Sequence, residues 1–388
     1  MSRYRNYTIA IVIIFQTILI FSHLGTYIQP STKQEPPKVH LLILSTWRSG
    51  SSLVGHFFSQ HPDVFYIKEP GWHVWHSMFQ NKAHVLQMAV RDLIRSLYKC
   101  DMSVFDAYMQ NRSQVLNLFR WTASRALCSP PACDSFARND IVPEAACRKQ
   151  CGHYSFQKIE DACYSYSHMV IQENRIFDLK VLISLLKDPT LNLKIIHVVH
   201  DPRAVAKSRE KTKRSLAFDS GIIHRATKPL DGEFKVLQEI CQNQVNIYRT
   251  INSKQLFSLR DRYMLLRYDD LVRDPLKKAR KVFSFINLKL TENLSRWIYN
   301  ITHGDRRQKV NSFQIIPRDA VYTSQAWRNL ISLEKVNKVQ DICKEAMNTF
   351  RYQFIDTKEE LRNLSMDSVL PGQRDDFMWL PQKKNLLN

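Results

Sequence analysis

The run Val39-His40-Leu41-Leu42-Ile43-Leu44-Ser45-Thr46-Trp47-Arg48-Ser49-Gly50-Ser51-Ser52-Leu53-Val54-Gly55-His56-Phe57-Phe58 decides how this chain is read. Its first six residues are apolar and β-prone, and Ser45 to Ser52 are mostly small, hydroxylic or basic. Leu53, Val54, Phe57 and Phe58 then recur at helical spacing until His61-Pro62 stops them. The pattern predicts a buried strand, a tight loop and a helix. A loop entering a helix N-terminus presents unpaired backbone N–H groups and the positive end of the helix dipole. Ser49, Ser51 and Ser52 add hydroxyl donors and Arg48 a countercharge, so the junction suits an anionic ligand. The stretch alone leaves open a plain strand–turn–helix junction whose serines cap the helix.

Toward the N-terminus, Gln29 to Lys38 holds three prolines and no apolar run, which reads as a stem over residues 29–38. Residues 7–28, from Tyr7 to Ile28, are almost wholly uncharged and rich in Ile, Leu, Val and Phe. At about 1.5 Å per residue such a stretch crosses a hydrocarbon core of about 30 Å, and we read it as a retained transmembrane signal anchor. Its apolar part is longer than the core of a cleaved signal peptide, the competing reading. Arg3 and Arg5 place residues 1–6 in the cytosol and the rest of the chain on the far side.

That compartment is oxidising, and the cysteines agree with it. There are eight, at 100, 128, 133, 147, 151, 163, 241 and 343, which suggests disulfides whose pairing the sequence leaves open. Cys147-x3-Cys151-x-His153 is a conceivable zinc set, but disulfides are the commoner use there. Glycosylation sequons begin at Asn111, Asn293, Asn300 and Asn363. A net charge of +20 over 388 residues asks for an acidic partner. An anchored, glycosylated domain meets little nucleic acid, so phosphorylated nucleotides or acidic glycans fit better.

Strand signals recur along the chain, each followed by a helix. Leu86, Val90, Leu93 and Leu97 mark an amphipathic helix. Met169-Val170-Ile171 precedes a helical run from Ile176 to Leu186, and Lys194 to Val199 precedes a helix containing Ala204, Val205 and Ala206. Tyr263 to Leu266 precedes another containing Val282, Phe283 and Ile286. This alternation predicts an α/β fold, a mainly parallel sheet covered by helices on both faces, within a domain at 39–355 followed by a polar tail at 356–388. Ligands of such sheets bind beyond the carboxyl ends of the strands. After Val199 comes a second basic and hydroxylic segment, His200-Asp201-Pro202-Arg203-Ala204-Val205-Ala206-Lys207-Ser208-Arg209. Its Arg203, Ser208 and Arg209 are candidate phosphate donors. Two anion sites at neighbouring strand ends suit a doubly phosphorylated nucleotide.

These residues carry a resemblance. Ser45-Thr46-Trp47-Arg48-Ser49-Gly50-Ser51-Ser52 resembles the loop that binds the 5′-phosphosulfate in sulfotransferases, and His200 to Ser208 resembles their 3′-phosphate segment. The implied cofactor is 3′-phosphoadenosine 5′-phosphosulfate (PAPS). His61 to Phe65, Glu69 to Trp75, Cys100 to Phe105, Arg125 to Cys128 and Ser324 to Arg328 are similar to segments of the Golgi N-acetylglucosamine 6-O-sulfotransferases. The likeness runs from about residue 39 to about 355. It implies a type II Golgi membrane protein with a P-loop-like sulfotransferase fold, independent of metal, acting on glycoprotein glycans with terminal N-acetylglucosamine. Two positions depart from the family pattern: His200 stands where the family has Arg, and Gln172-Glu173-Asn174-Arg175 stands for its Lys-x-x-Arg.

Sulfuryl transfer to a sugar 6-hydroxyl needs a base for the attacking oxygen and cations or N–H dipoles for the departing phosphate. Arg48 with Ser49 to Ser52 suits the departing side, and Glu69 is the candidate base, with His73 second. Trp72, His73, Trp75 and Arg175 are candidate acceptor contacts, and Trp327 and Arg328 candidate cofactor contacts through the resemblance. A Golgi glycosyltransferase shares anchor and stem, yet many hold metal through Asp-x-Asp, which this chain lacks. A P-loop kinase needs Gly-x4-Gly-Lys-Ser/Thr, which is also missing. An inactive glycan-binding homologue remains a further reading. Oligomeric state is left open, a homodimer included.

Overall fold

β1 spans Val39–Leu44, with Leu41, Leu42, Ile43 and Leu44 all fully buried. Successive strand residues point to opposite faces, so burial of all of them means that both faces of the sheet are covered. Each such side chain contributes about 1.5–3 kcal/mol. β1 lies between β3 (His168–Glu173) and β4 (Asn192–Val199), in a sheet ordered β2-β3-β1-β4-β5 whose four pairings are all parallel. β2 is Val64–Lys68 and β5 is Tyr263–Arg267. The chain leaves β1 toward one side of the sheet and later returns to the other. The carboxyl end of β1 is therefore the topological switch point, where open α/β sheets form a crevice.

This is a computed structural model, and it describes residues 16–17, 37–109, 124–151, 155–224, 232–305 and 315–370. The chain falls into two units, Met1–Pro37 and Lys38–Asn388. Of the first only Gln16, Thr17 and Pro37 are described, the first two as exposed helical residues, so the expected anchor at 7–28 otherwise lies outside the described residues. Among the described residues no helix is long and apolar enough to cross a membrane.

The predicted elements hold with three differences. β2 occupies a stretch to which the sequence reading assigns no element, because a five-residue strand whose first four residues are all buried has no alternation to betray it. The helix expected from Ile176 to Leu186 shrinks to a 3-10 turn at Leu179–Leu182 and a short helix at Ile183–Leu186. Gln87 Oε1 accepts from the Phe177 and Asp178 backbone N–H groups at 2.7 and 2.9 Å, and Asp178 accepts from the Lys180 N–H. A long-range side chain and a local cap thus take the N–H groups a longer helix would use. Finally, the expected peripheral tail is packed as far as Leu370: Leu361 is buried, and Val369 bridges antiparallel to Tyr352.

The cysteines pair as Cys100–Cys163, Cys128–Cys147, Cys133–Cys151 and Cys241–Cys343. Cys147 and Cys151 are therefore bonded to other cysteines, which leaves no thiolates for a zinc set. Cys241–Cys343 closes a separation of 102 residues and ties the Gly232–Ile251 helix to the C-terminal helices. Replacing both by Ser is expected to lower stability by about 2–4 kcal/mol through the freed unfolded chain. Thermal melts of the double variant and the parent test this, and equal midpoints would refute it.

Candidate active site

The loop after β1 is shaped by two left-handed residues, Arg48 (φ 74°) and Gly50 (φ 87°). Such a curl turns successive N–H groups toward one concavity. α1 (Ser51–Ser59) follows at once, with the first-turn N–H groups that every helix leaves without a helical acceptor. A Cβ on Gly50 would lie 2.1 Å from Cδ2 of the Tyr268 ring. Gly50→Ala is expected to cost about 1–3 kcal/mol through this overlap, besides left-handed strain. A melt of the variant checks it; an unchanged midpoint would mean the ring moves aside freely.

The hydroxyls divide into two sets. Ser45 donates to Asn174 Oδ1, Thr46 and Ser49 bond each other at 2.9 Å, and Gln244 Nε2 donates to Thr46 at 3.0 Å. These three serve the loop's own construction. Ser51, Ser52, Arg48, Trp47 and Gly50 line a cleft of about 370 Å³ at the carboxyl ends of the strands. Arg48 Nε also donates to Ser208 Oγ at 2.8 Å, so the two segments singled out as anion sites touch. Ser208 lies on α2, Pro202–Lys211, whose cap is Asp201.

Of the second segment only His200 lines the cleft. Arg203 is fully buried: Asp201 holds its guanidinium at 2.9 and 2.8 Å, while Gln340 Oε1 and the Gln353 carbonyl accept from Nη1 at 2.9 and 2.8 Å. Trp327 stacks under it at 4.8 Å, and Arg328 donates to the Glu360 and Met366 carbonyls. The structure thus places Arg203, Trp327 and Arg328 in a small core behind the cleft and away from its wall. Ala204 packs in that small core, Val205 and Ala206 are buried in the main one, Asp201 and Pro202 are buried as well, and Lys207 pairs with Glu210 at 3.2 Å.

On the β2–β3 side the cleft wall holds Glu69, Asn174, Arg175 and Asp219. Glu69 directly follows β2 in a left-handed conformation (φ 49°), a strained state for a non-glycine residue. Arg175, expected as an acceptor contact, is 1% exposed and committed to three carboxylates. It donates to Glu69 Oε2 at 3.1 Å and to Glu173 Oε1 at 3.4 Å, and grips both oxygens of Asp219 at 3.2 Å. It is a clamp, leaving no fork for a sugar. Burial opposes its charge, but Asp219, Glu69 and Glu173 outweigh that and raise its pKa further. Glu173 is pushed up by complete burial and by Glu69, against the pull of Arg175.

The aromatic candidates separate likewise. Trp75 is fully buried against Trp47 and Phe177, and buried His73 meets Phe105 edge-on at 5.4 Å. Only Trp72 is partly exposed, stacked on exposed His76 at 4.7 Å. Of the sequons, Asn293, Asn300 and Asn363 are exposed, and Asn111 lies outside the described residues.

Arg318, Tyr268, Asp219 and Lys68 also line the cleft and escape the sequence reading. Asp219 and Arg318 lie in stretches without motif spacing, whereas Tyr268-Asp269 follows β5 directly, a strand-end position that was a usable signal. Burial and Arg318 together lower the Arg48 pKa below the usual arginine value, against Tyr268 and Glu69. Ser51 Oγ is held inside the wall, accepting from Gln172 Nε2 at 3.0 Å and donating to Asn174 Oδ1 at 3.4 Å. Cations at 48 and 318, the Ser52 hydroxyl and His200 therefore make the donor set for a polyanion, and they fit a nucleotide with two phosphate groups.

Comparison with known proteins agrees. The sulfotransferase domain family matches residues 38–351. The chain is 48% identical over 349 residues to carbohydrate sulfotransferase 5 of Mus musculus, covering 88% of each chain. It is 47% identical over 349 residues to carbohydrate sulfotransferase 6 of Homo sapiens, again covering 88% of each. Among solved structures, the sulfotransferase domain from the curacin biosynthetic pathway covers 82% of this chain and 99% of its own, with a TM-score of 0.46 and 14% identity.

Proposed function

Because the chain belongs to the carbohydrate sulfotransferases of the sulfotransferase domain family, we propose that it transfers sulfate from PAPS to the 6-hydroxyl of N-acetylglucosamine on glycoprotein glycans. The observation that carries this is the Arg48–Ser208 bond at the switch point, which joins both anion-binding segments at one cleft with His200 and Arg318. When bound, the donor supplies an electrophilic sulfuryl group and a phosphate leaving group.

Glu69 takes the proton of the attacking hydroxyl, and Arg175 fixes its orientation by holding Oε2. The neighbouring Glu173 and Asp219 share the same guanidinium. Arg48 and the first-turn N–H groups of α1 stabilise the charge that grows on the departing phosphate. Ser52 adds a hydroxyl there. Trp72 offers the acceptor a partly exposed aromatic face.

The domain works in the Golgi lumen behind the anchor at 7–28, a reading supported by four disulfides and by three surface sequons. The test is transfer of labelled sulfate from PAPS by the full chain to glycans ending in N-acetylglucosamine or in galactose. Transfer to the first alone supports the assignment. Preference for galactose refutes the acceptor, and no transfer by a folded chain refutes the enzyme.

A further inference from the structure

His200 follows the last residue of β4 and lines the cleft, and its Nδ1 lies 3.0 Å from Asp269 Oδ2. That oxygen is itself held, by the Tyr352 hydroxyl at 2.8 Å and by the Asp201 backbone N–H at 3.3 Å. The imidazole also meets the Tyr268 ring edge-on at 4.8 Å. A buried carboxylate fixed by other donors therefore commits Nδ1 and leaves Nε2 as the nitrogen able to serve a ligand in the cleft. The imidazole is only 7% exposed, so without Asp269 its charge would be expensive.

We propose that His200, held by the Asp269–Tyr352 pair, is a proton-dependent anchor for the second phosphate of the donor nucleotide, so that donor binding takes up a proton at this ring. This rests on the sulfotransferase reading of the cleft. The groups that face the ring are Asp269 and Tyr268 after β5, Asp201 on its own segment, and Arg48 from the β1 loop. Burial works against the charged ring, yet Asp269 and then Asp201 outweigh it and raise its pKa, with Arg48 opposing. A phosphate between Arg48 and His200 offsets that repulsion and favours the imidazolium further. The sign follows: the contact is complete below the His200 pKa and is lost as pH rises through it. A fixed arginine charge has no such dependence.

The test is calorimetric binding of adenosine 3′,5′-bisphosphate and of adenosine 5′-monophosphate to the full chain in detergent, from about pH 6 to about pH 8. Several buffers of different ionisation enthalpy count the protons taken up. In the parent, the affinity advantage of the bisphosphate is expected to fall about tenfold over that range, the scale of one charge-assisted hydrogen bond. In His200→Arg it is expected to stay nearly level, which cancels the phosphate's own titration from the comparison. Asp269→Asn is expected to move the parent's fall to lower pH. An advantage in the parent that changes with pH no more than in His200→Arg would overturn the proposal. If a variant does not fold, the proton count of the parent decides, since equal uptake for both nucleotides also overturns it. A folded parent that binds neither nucleotide at any pH would instead overturn the sulfotransferase reading itself.

Discussion

Glu69→Gln is expected to lower kcat by about 10²–10⁴-fold, the usual contribution of a positioned base, while KM for PAPS changes little. The substitution is nearly isosteric, and the amide oxygen still accepts from Arg175, which bonds Glu69 Oε2 in the parent. What the variant loses is the ability to take a proton. A thermal melt separates this from a structural effect. If Glu69 served only as a counter-ion of Arg175, glutamine would lower the melting point with little change in kcat. If it is the base, kcat collapses and the fold endures. The left-handed backbone at Glu69 favours the second outcome, because strain of this kind persists where the surroundings demand one orientation of the side chain. Arg48→Ala should differ from it by weakening donor binding as well as turnover.

Arg175→Leu is expected to destabilise the chain by about 3–5 kcal/mol, the cost of leaving buried charges without their partner. Three carboxylates depend on this guanidinium, and Glu173 is entirely buried beside it. The loss should be pH-dependent in a definite direction. Burial already raises the Glu173 pKa and Arg175 lowers it, so removal of the arginine raises it further. A group whose folded pKa lies above its unfolded value destabilises the fold as pH rises through the folded value. The gap in melting temperature between parent and variant should therefore narrow on acidification toward about pH 5 and widen toward about pH 8. A gap independent of pH would show that Arg175 acts by packing alone. Arg175→Lys, which keeps one charge without the fork, should fall between the two.

The two arginines differ in how far their roles were legible. Arg48 stands in a loop between an apolar strand and an amphipathic helix, and that local pattern was enough to foresee an anion site at a helix start. Arg175 also follows a strand, and sequence alone made it a candidate for the acceptor. Its three partners lie 106, 2 and 44 positions away, and no periodicity links them. Arg203 is a similar case. Its place beside Ser208 suggests phosphate, but Asp201, Gln340 and the Gln353 carbonyl saturate it within a core.

The sequence by itself determined the alternating strands and helices and the strand–loop–helix at 39–58, because each rests on spacing within a short window, and it pointed to the family through a resemblance of motifs spread from about residue 39 to about 355. Periodicity reports which residues face inward, and hydroxyl and basic side chains at a helix start report an anion whatever lies around them. Only the tertiary structure decided the disulfide pairing, the strand at 64–68 and which candidates reach the cleft. Those depend on the order β2-β3-β1-β4-β5, which brings together the ends of strands far apart in the chain. The charges there settle by proximity: Arg48 lies beside a second cation, Arg318, as well as Tyr268 and Glu69, whereas Arg175 is consumed because its neighbours are carboxylates.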